Sequence, residues 1–245
     1  MRRAPELRAP VTRDKVTTEK LAKPNRQPKK GESNMLTIWG GATGRTIRAH
    51  WMAHELALDY EPKLIGSRTG ATQSEEFVAL NVKEKIPVLV DGDFVLTESA
   101  AIVTYLGDTY GKDSGLVPEP NTHERARYNE WLSYIQMELD AHTLYVMRKH
   151  RDLATIYGEA PAAIDAAIEG FQKQVRFAEN HLNRNEFLIG ESFGAADLML
   201  TSVLTWAKAY GIEISNRLAE YAESNCNRSA YQTAAELNFS ISAGA

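Results

Sequence analysis

The chain has 245 residues, enough for one large domain or two small ones. Its 43% hydrophobic and 24% charged content excludes a mostly disordered or fibrous protein, and a lone cysteine, Cys226, excludes an intramolecular disulfide framework or an all-cysteine metal site. The net charge of −4 gives no general attraction for nucleic acid, and no apolar run approaches the roughly 18 residues of a membrane span.

The charge is unevenly spread. Ten of the 28 Lys/Arg and four of the 32 acids lie in residues 1–34, leaving 18 basic and 28 acidic residues, or −10, beyond them. Residues 1–34 contain prolines and show no apolar period, so a disordered basic extension is expected. A nucleic-acid-binding arm or a targeting peptide are the other readings. The segment lacks the apolar stretch of a secretory signal, however, and Met35 at once opens a patterned region.

Met35-Leu-Thr-Ile-Trp39 reads as a short buried strand closed by Gly40–Gly41. Arg45 to Leu58 has apolar residues at helical spacing, and Tyr60 to Ile65 is a candidate second strand, so a parallel βαβ unit is expected. A loop over 66–76 leads to a short helix near Glu75–Leu80. Ile86 to Val90 and Asp93 to Leu96 are apolar runs joined by Asp91–Gly92, a hairpin signal because the tight turn needs the positive φ that glycine adopts freely. Glu98 to Tyr110 resumes helical spacing. Leu116 to Pro120 is a proline-containing linker, and 122–150, 160–184 and 194–210 read as long helices. The fold class is therefore α/β plus all-α: 1–34 as extension, 35–112 as an α/β domain and 121–237 as a helical domain.

The order β-α-β-α-β-β-α, with Pro87 opening the third strand and Glu98–Ser99 starting the last helix, resembles the thioredoxin-like N-terminal domain of glutathione S-transferases. The stretch from Leu80 to Leu106 is similar to that family's glutathione-site signature, and the serine-type, bacterial-like pattern is matched at Arg45, Arg48 and Trp51. In the helical half, Phe187-Leu-Ile-Gly190, Phe193-Gly-Ala-Ala-Asp197 and Arg228-Ser-Ala-Tyr231 are similar to the family's folding motif and C-terminal segment. The resemblance spans roughly residues 35–237. It implies a cis bond at Pro87 that presents the Ile86 backbone to the cysteinyl part of glutathione. It also implies a Glu98–Ser99 site for the γ-glutamyl end, and Lys85 near the glycyl carboxylate. Physically, a helix N-terminus favours a carboxylate, Ser99 adds a hydroxyl donor, and Glu98 can accept from an ammonium. Capping by Thr97 is the purely structural alternative for this helix start.

The family chemistry needs a donor that holds glutathione as thiolate. A free thiol has a pKa near 8.5, and one hydrogen bond to a charged group contributes roughly 1.5–3 kcal/mol, or one to two units. The family's serine position falls on Gly44. Thr43 and Arg45 are therefore the catalytic candidates, with the Gly44 and Arg45 backbone N–H groups as the alternative; Thr43 as a mere helix cap is the bland reading. Glutathione-site candidates are Gly44, Lys85, Ile86, Pro87, Glu98 and Ser99. Cys226 lies too far along the chain for a cysteine-type enzyme, and His50/His54 are expected to be two surface histidines rather than metal ligands. Asp197 is expected to cap a buried helix after Gly194. Tyr134, Met137, His142 and Tyr145 are candidates for a second-substrate wall.

The resemblance implies a cytoplasmic, homodimeric glutathione S-transferase joining the glutathione thiolate to a small hydrophobic electrophile. Glutathione is co-substrate, and no other cofactor, metal, nucleic acid or membrane is expected. A non-catalytic glutathione-binding or assembly module, or a glutathione-dependent peroxidase or reductase, are the alternatives that Gly44 keeps open.

Overall fold

The computed structural model describes residues 35–242, so the expectations for 1–34 lie outside the described residues. Four short strands, β1 (Leu36–Trp39), β2 (Tyr60–Lys63), β3 (Val88–Asp91) and β4 (Phe94–Thr97), form a mixed sheet in the order β2-β1-β3-β4. β1 and β2 are parallel, joined across α1 (Thr46–Glu55), while β3 is antiparallel to both β1 and β4. α2 (Glu75–Leu80) starts at a Ser74 cap whose hydroxyl accepts from the Phe77 N–H, and α3 (Ser99–Tyr110) follows β4. This is a thioredoxin-like arrangement. Ile38, Met52, Leu89 and Ile102 are fully buried between the sheet and α1/α3.

The hairpin sits one residue later than the apolar pattern suggests. Asp91 pairs with Phe94, so Gly92–Asp93 make the turn, and Gly92 takes the positive φ of 59°. The third strand begins at Val88 because Ile86–Pro87 is occupied by a cis peptide bend. α1 ends at Glu55, short of Leu58, where Ala57 turns the chain with φ of 49°.

The helical half opens with α4 (His123–Tyr134), whose Thr122 cap accepts from the Arg125 N–H. The expected single regular helix over 122–150 does not form. The chain widens into π-helical turns over Ile135–Leu144, returns to α5 (Tyr145–Met147), and widens again over Arg148–Asp152 before α6 (Ala154–Tyr157). The expected helix over 160–184 is two, α7 (Pro161–Gln174) and α8 (Arg176–Leu182), and α9 (Ala195–Ala209) is the buried central helix. α10 (Asn216–Cys226) and α11 (Ser229–Asn238) complete the chain; α11 packs back along α1.

The two halves share one apolar core. Trp51 of α1 packs against Phe193 and Tyr231, and Arg228 grips Glu55 at the end of α1 with two bonds of 2.6 and 2.8 Å. Asp197 is the capping acid that the sequence suggests. Its carboxylate accepts from the Gly194 N–H (2.8 Å), the Leu188 N–H (2.8 Å) and the Tyr221 hydroxyl (2.6 Å). Leaving these donors orphaned in the interior is costly, at about 1–3 kcal/mol each. Asp197→Ala should therefore lower the urea unfolding midpoint by an amount equivalent to about 3 kcal/mol or more, with an unchanged m-value. A loss within about 0.5 kcal/mol would mean that the cap is dispensable.

Candidate functional site

Two adjoining cavities open along the seam between the halves. The larger, of about 830 Å³, has Thr43, Gly44, Arg45, Lys85 and Ile86 on the sheet side and Tyr145, Trp206 and Tyr210 on the helical side. The smaller, of about 410 Å³, runs from Lys85, Ile86 and Pro87 to Glu98, Ser99 and Asp140. Arg45, Lys83, Lys85 and Ile86 line both, so all eight residues singled out from the sequence border one continuous depression.

At the junction, the Ile86–Pro87 bond is cis, and the Ile86 N–H and C=O take no backbone partner among the described residues. Those two groups are the free edge that an extended peptide can pair with. Asn81 shapes the approach by donating from its side-chain amide to the Lys85 carbonyl at 2.7 Å.

At the far end of the smaller cavity, Glu98 holds a positive φ of 72°, turning the chain sharply into α3. No side chain caps α3, so Thr97 does not take that part; its hydroxyl accepts from Lys83 instead, at 2.9 Å. The first N–H groups of the 12-residue helix are thus left for an anion. Glu98 already accepts an ammonium, from Lys83 Nζ at 2.6 Å, which is the chemistry of an amino-acid head group. Lys85 is exposed, with Nζ 5.6 Å from the Tyr145 ring centroid.

At the start of α1, the Thr43 hydroxyl accepts from the Thr46 N–H at 3.1 Å, and the Thr43 carbonyl accepts from the Ile47 N–H. Thr46 Oγ1 lies 2.6 Å from the Asn238 side-chain oxygen, to which it donates, and it accepts from the Thr43 N–H. The Gly44 and Arg45 N–H groups have no backbone partner among the described residues and border the larger cavity. Gly44 does not need to be glycine for space: a Cβ there would meet Trp206 at 3.6 Å, an ordinary contact.

Sequence reasoning missed the network beneath the site. Arg48 is fully buried and donates to Ser99 Oγ (3.2 Å), Ser202 Oγ (2.7 Å) and Asp140 Oδ2 (2.8 Å). Arg45 also reaches Asp140, with Nε 3.2 Å from both carboxylate oxygens, and lies 4.4 Å from the Tyr145 ring. Burial alone would raise the Asp140 pKa, but Arg48 and Arg45 together outweigh it and hold the carboxyl below its ordinary range. The Arg48 hydrogen bond makes Ser99 an acceptor on that side, so the serine hydrogen is left to point elsewhere, and Ser99 borders the smaller cavity. Asn238 was also missed. Its side chain spans from Thr46 to the Thr43 carbonyl (3.2 Å), tying the last helix to the loop before α1.

Other expectations are corrected. His50 is not a surface residue. It is fully buried, donating from Nε2 to the Gly40 carbonyl (2.9 Å) with the Tyr60 hydroxyl on Nδ1 (3.0 Å), and burial pushes its pKa down. No cluster of three metal-ligating side chains occurs among the described residues. Of the proposed wall residues, Tyr145 lines the larger cavity and Met137 the smaller, whereas Tyr134 and His142 line neither. Tyr134 donates its hydroxyl to the Gln174 carbonyl. Trp206, Tyr210 and Tyr157 supply the wall instead. Cys226 lines neither cavity, and burial raises its pKa.

Comparison with known proteins gives this geometry its class. Residues 34–108 match the model of the glutathione S-transferase N-terminal domain, and residues 134–223 that of the C-terminal domain. The chain belongs to the glutathione S-transferase family. It is 32% identical over 157 residues to glutathione S-transferase 3 of Zea mays, covering 62% of this chain and 68% of that one. It is 30% identical over 166 residues to glutathione S-transferase D7 of Drosophila melanogaster, covering 67% and 70%. Among solved structures, it is similar to the theta class glutathione S-transferase of the citrus canker pathogen Xanthomonas axonopodis pv. citri with glutathione bound. That match has a TM-score of 0.70 at 25% identity and covers 84% of this chain and 99% of that one. No helix among the described residues is long and apolar enough to cross a membrane.

Two consequences can be measured. Asp140→Asn leaves Arg48 buried without its charge partner and should cost about 3–5 kcal/mol at neutral pH. Because the folded pKa of Asp140 is depressed, its contribution is fully present above the unfolded value of 3.8 and is lost as pH falls through the folded value. The stability gap between wild type and Asp140→Asn should therefore narrow below pH 3.8 in thermal unfolding; a constant gap would contradict the ionised assignment.

Proposed function

We propose that this chain is an active glutathione S-transferase that joins the glutathione thiolate to a small, largely apolar electrophile. The observation that carries the proposal is the continuity of the two cavities through Ile86. A tripeptide extended along the smaller one, with its amino-acid head at Glu98–Ser99 and its middle residue paired to Ile86, delivers its sulfur to the floor of the larger one. There Thr43, Gly44 and Arg45 meet it, and the aromatic wall faces it. Lys85, at the junction, is assigned to the glycyl carboxylate. Glutathione is co-substrate, and the reading needs no further cofactor.

Thr43 is the favoured thiolate donor. Its oxygen accepts from the Thr46 N–H and lies 2.9 Å from Thr46 Oγ1; because Thr46 directs its own hydrogen to Asn238, Thr43 donates to Thr46 Oγ1, and that hydrogen turns to the sulfur when glutathione binds. The open Gly44 and Arg45 N–H groups add a second source of positive potential at the same point. The Arg45 guanidinium, held on the Asp140 carboxylate that it shares with Arg48, acts mainly by anchoring the loop. As the sulfur attacks, its electron pair forms the carbon–sulfur bond while the leaving group departs with its own pair; the thiol proton has already gone to solvent.

We also propose a cytoplasmic homodimer. Exposed Phe94 and Val95 on β4 and exposed Met137 support an apolar partner surface, since an uncovered apolar strand edge invites pairing.

Thr43→Val should raise the pH midpoint of kcat/KM by about one unit, the equivalent of one hydrogen bond to a charged group. It should also cost about 1 kcal/mol of stability through the lost cap. An unchanged midpoint would transfer the role to the Gly44 and Arg45 N–H groups. Ser99→Ala should weaken glutathione binding roughly tenfold or more by calorimetry, with little change in that midpoint. Tight binding to immobilised glutathione without turnover of aryl halides or peroxides would instead identify a binding module. Peroxide turnover above aryl-halide turnover would identify a peroxidase.

A further inference from the structure

Beyond its first 34 residues the chain is acidic, with a formal charge of −10, yet the larger cavity carries five Lys/Arg against two acids. Pairing does not cancel this excess. Arg45 shares Asp140 with the buried Arg48, Lys83 is paired with Glu98, and the cavity acid Asp152 with Arg151. Arg68, Lys85 and Arg148 remain without a carboxylate within ion-pair distance among the described residues, against Glu84, whose carboxylate accepts from the Gln73 amide. Lys85 stands at the junction and is taken up by glutathione. The two guanidiniums are left over.

Both are held by neutral groups. Arg148, at the start of the second π-helical turn, donates to Ser67 Oγ at 2.9 Å, and Arg68 donates to the Tyr157 hydroxyl with its guanidinium 5.1 Å from that ring. They are therefore oriented without being neutralised. Beside them the cavity wall is aromatic: Trp206 and Tyr210 pack edge to face, and Tyr157 remains 43% exposed. Flat apolar surface next to two uncancelled guanidiniums is complementary to a planar ring bearing an anionic group. A guanidinium fork suits a carboxylate or sulfonate, and low-dielectric walls strengthen the attraction.

We propose that the second substrate is an anionic aromatic electrophile, its ring against Trp206 and Tyr210 and its carboxylate or sulfonate on Arg148 and Arg68. The inference rests on the transferase reading and names the substrate class of that site. With an aryl chloride the balance is simple. The glutathione sulfur forms a bond to the ring carbon, the carbon–chlorine bond breaks, and chloride leaves with the electron pair; the carboxylate is unchanged.

The test uses the full chain, glutathione and a matched pair of probes, para-chloro-meta-nitrobenzoate and its neutral amide, each rate divided by the uncatalysed rate with glutathione. The wild type should favour the benzoate about tenfold or more in kcat/KM, as one hydrogen-bonded charge pair provides, and the preference should shrink as salt is added. Arg148→Gln should lower the benzoate-to-amide ratio about tenfold, chiefly through KM, and Arg148→Lys should restore part of it. Arg68→Gln, on a different segment, should shift the ratio in the same direction and serves if Arg148→Gln fails to fold. Turnover of both probes with a ratio near one, unchanged in the variants, would overturn the anionic preference and leave the transferase standing. No preference for the benzoate, with self-inhibition by glutathione relieved in Arg148→Gln, would assign the guanidiniums to a second tripeptide and also overturn it. Failure to turn over either probe, or any neutral aryl halide, would remove the transferase reading itself.

Discussion

The buried guanidinium of Arg48 is the point on which the site is built. It leaves α1 and meets Ser99 at the start of α3, Asp140 in the π-helical stretch and Ser202 in α9, joining four elements from both halves of the molecule. Burying an arginine costs several kcal/mol unless its charge and its donors are all answered. Here each of its three nitrogens has a partner, and no buried side-chain polar atom among the described residues lacks one. A planar fork with fixed directions can do this where an ammonium on a flexible stem could not. The consequence is geometric. The start of α1 borders one end of the depression and the start of α3 the other, and one rigid group links the two.

The site depends more on backbone than on side chains. The Ile86 peptide groups, the uncapped start of α3 and the N–H groups of Gly44 and Arg45 are main-chain features, and each exists because a local conformation leaves it unpaired. Side chains mainly hold those conformations: Asn81 on Lys85, Thr43 and Thr46 on each other, Asn238 on both. At the family's serine position Gly44 supplies no hydroxyl, but the Gly44 and Arg45 N–H groups stand free there.

Much of this was legible in the sequence. Pro87, the hairpin at Gly92 (one residue later than the pattern suggests) and Glu98–Ser99 announce themselves because backbone constraint is written in single residue types: a proline, a glycine, an acid beside a hydroxyl. The α/β order followed from alternation and helical spacing. Asp140, in contrast, was invisible. It lies in a stretch where the helix widens to π turns, so a reading at 3.6 residues per turn assigns the wrong residues to the inner face. His142, in the same widened stretch, lines neither cavity for that reason. The burial of His50 escapes the sequence for a related reason: its neighbours Gly40, just after β1, and Tyr60, in β2, are distant along the chain, and only the fold brings them to its ring. Asn238 gave no local signal at all, since its partners lie at the other end of the sequence.

That last contact sets an order of assembly. The loop at Thr43 is finished by a side chain 195 positions downstream, on the final helix. During synthesis the thioredoxin-like half leaves the ribosome with its sheet-forming residues complete but this loop still untied, and such long-range closures are slow to form. The depression is therefore completed last: a nascent or C-terminally clipped chain has the scaffold before the loop at its Thr43 end is tied, so a finished cleft reports that the whole polypeptide has been made and docked.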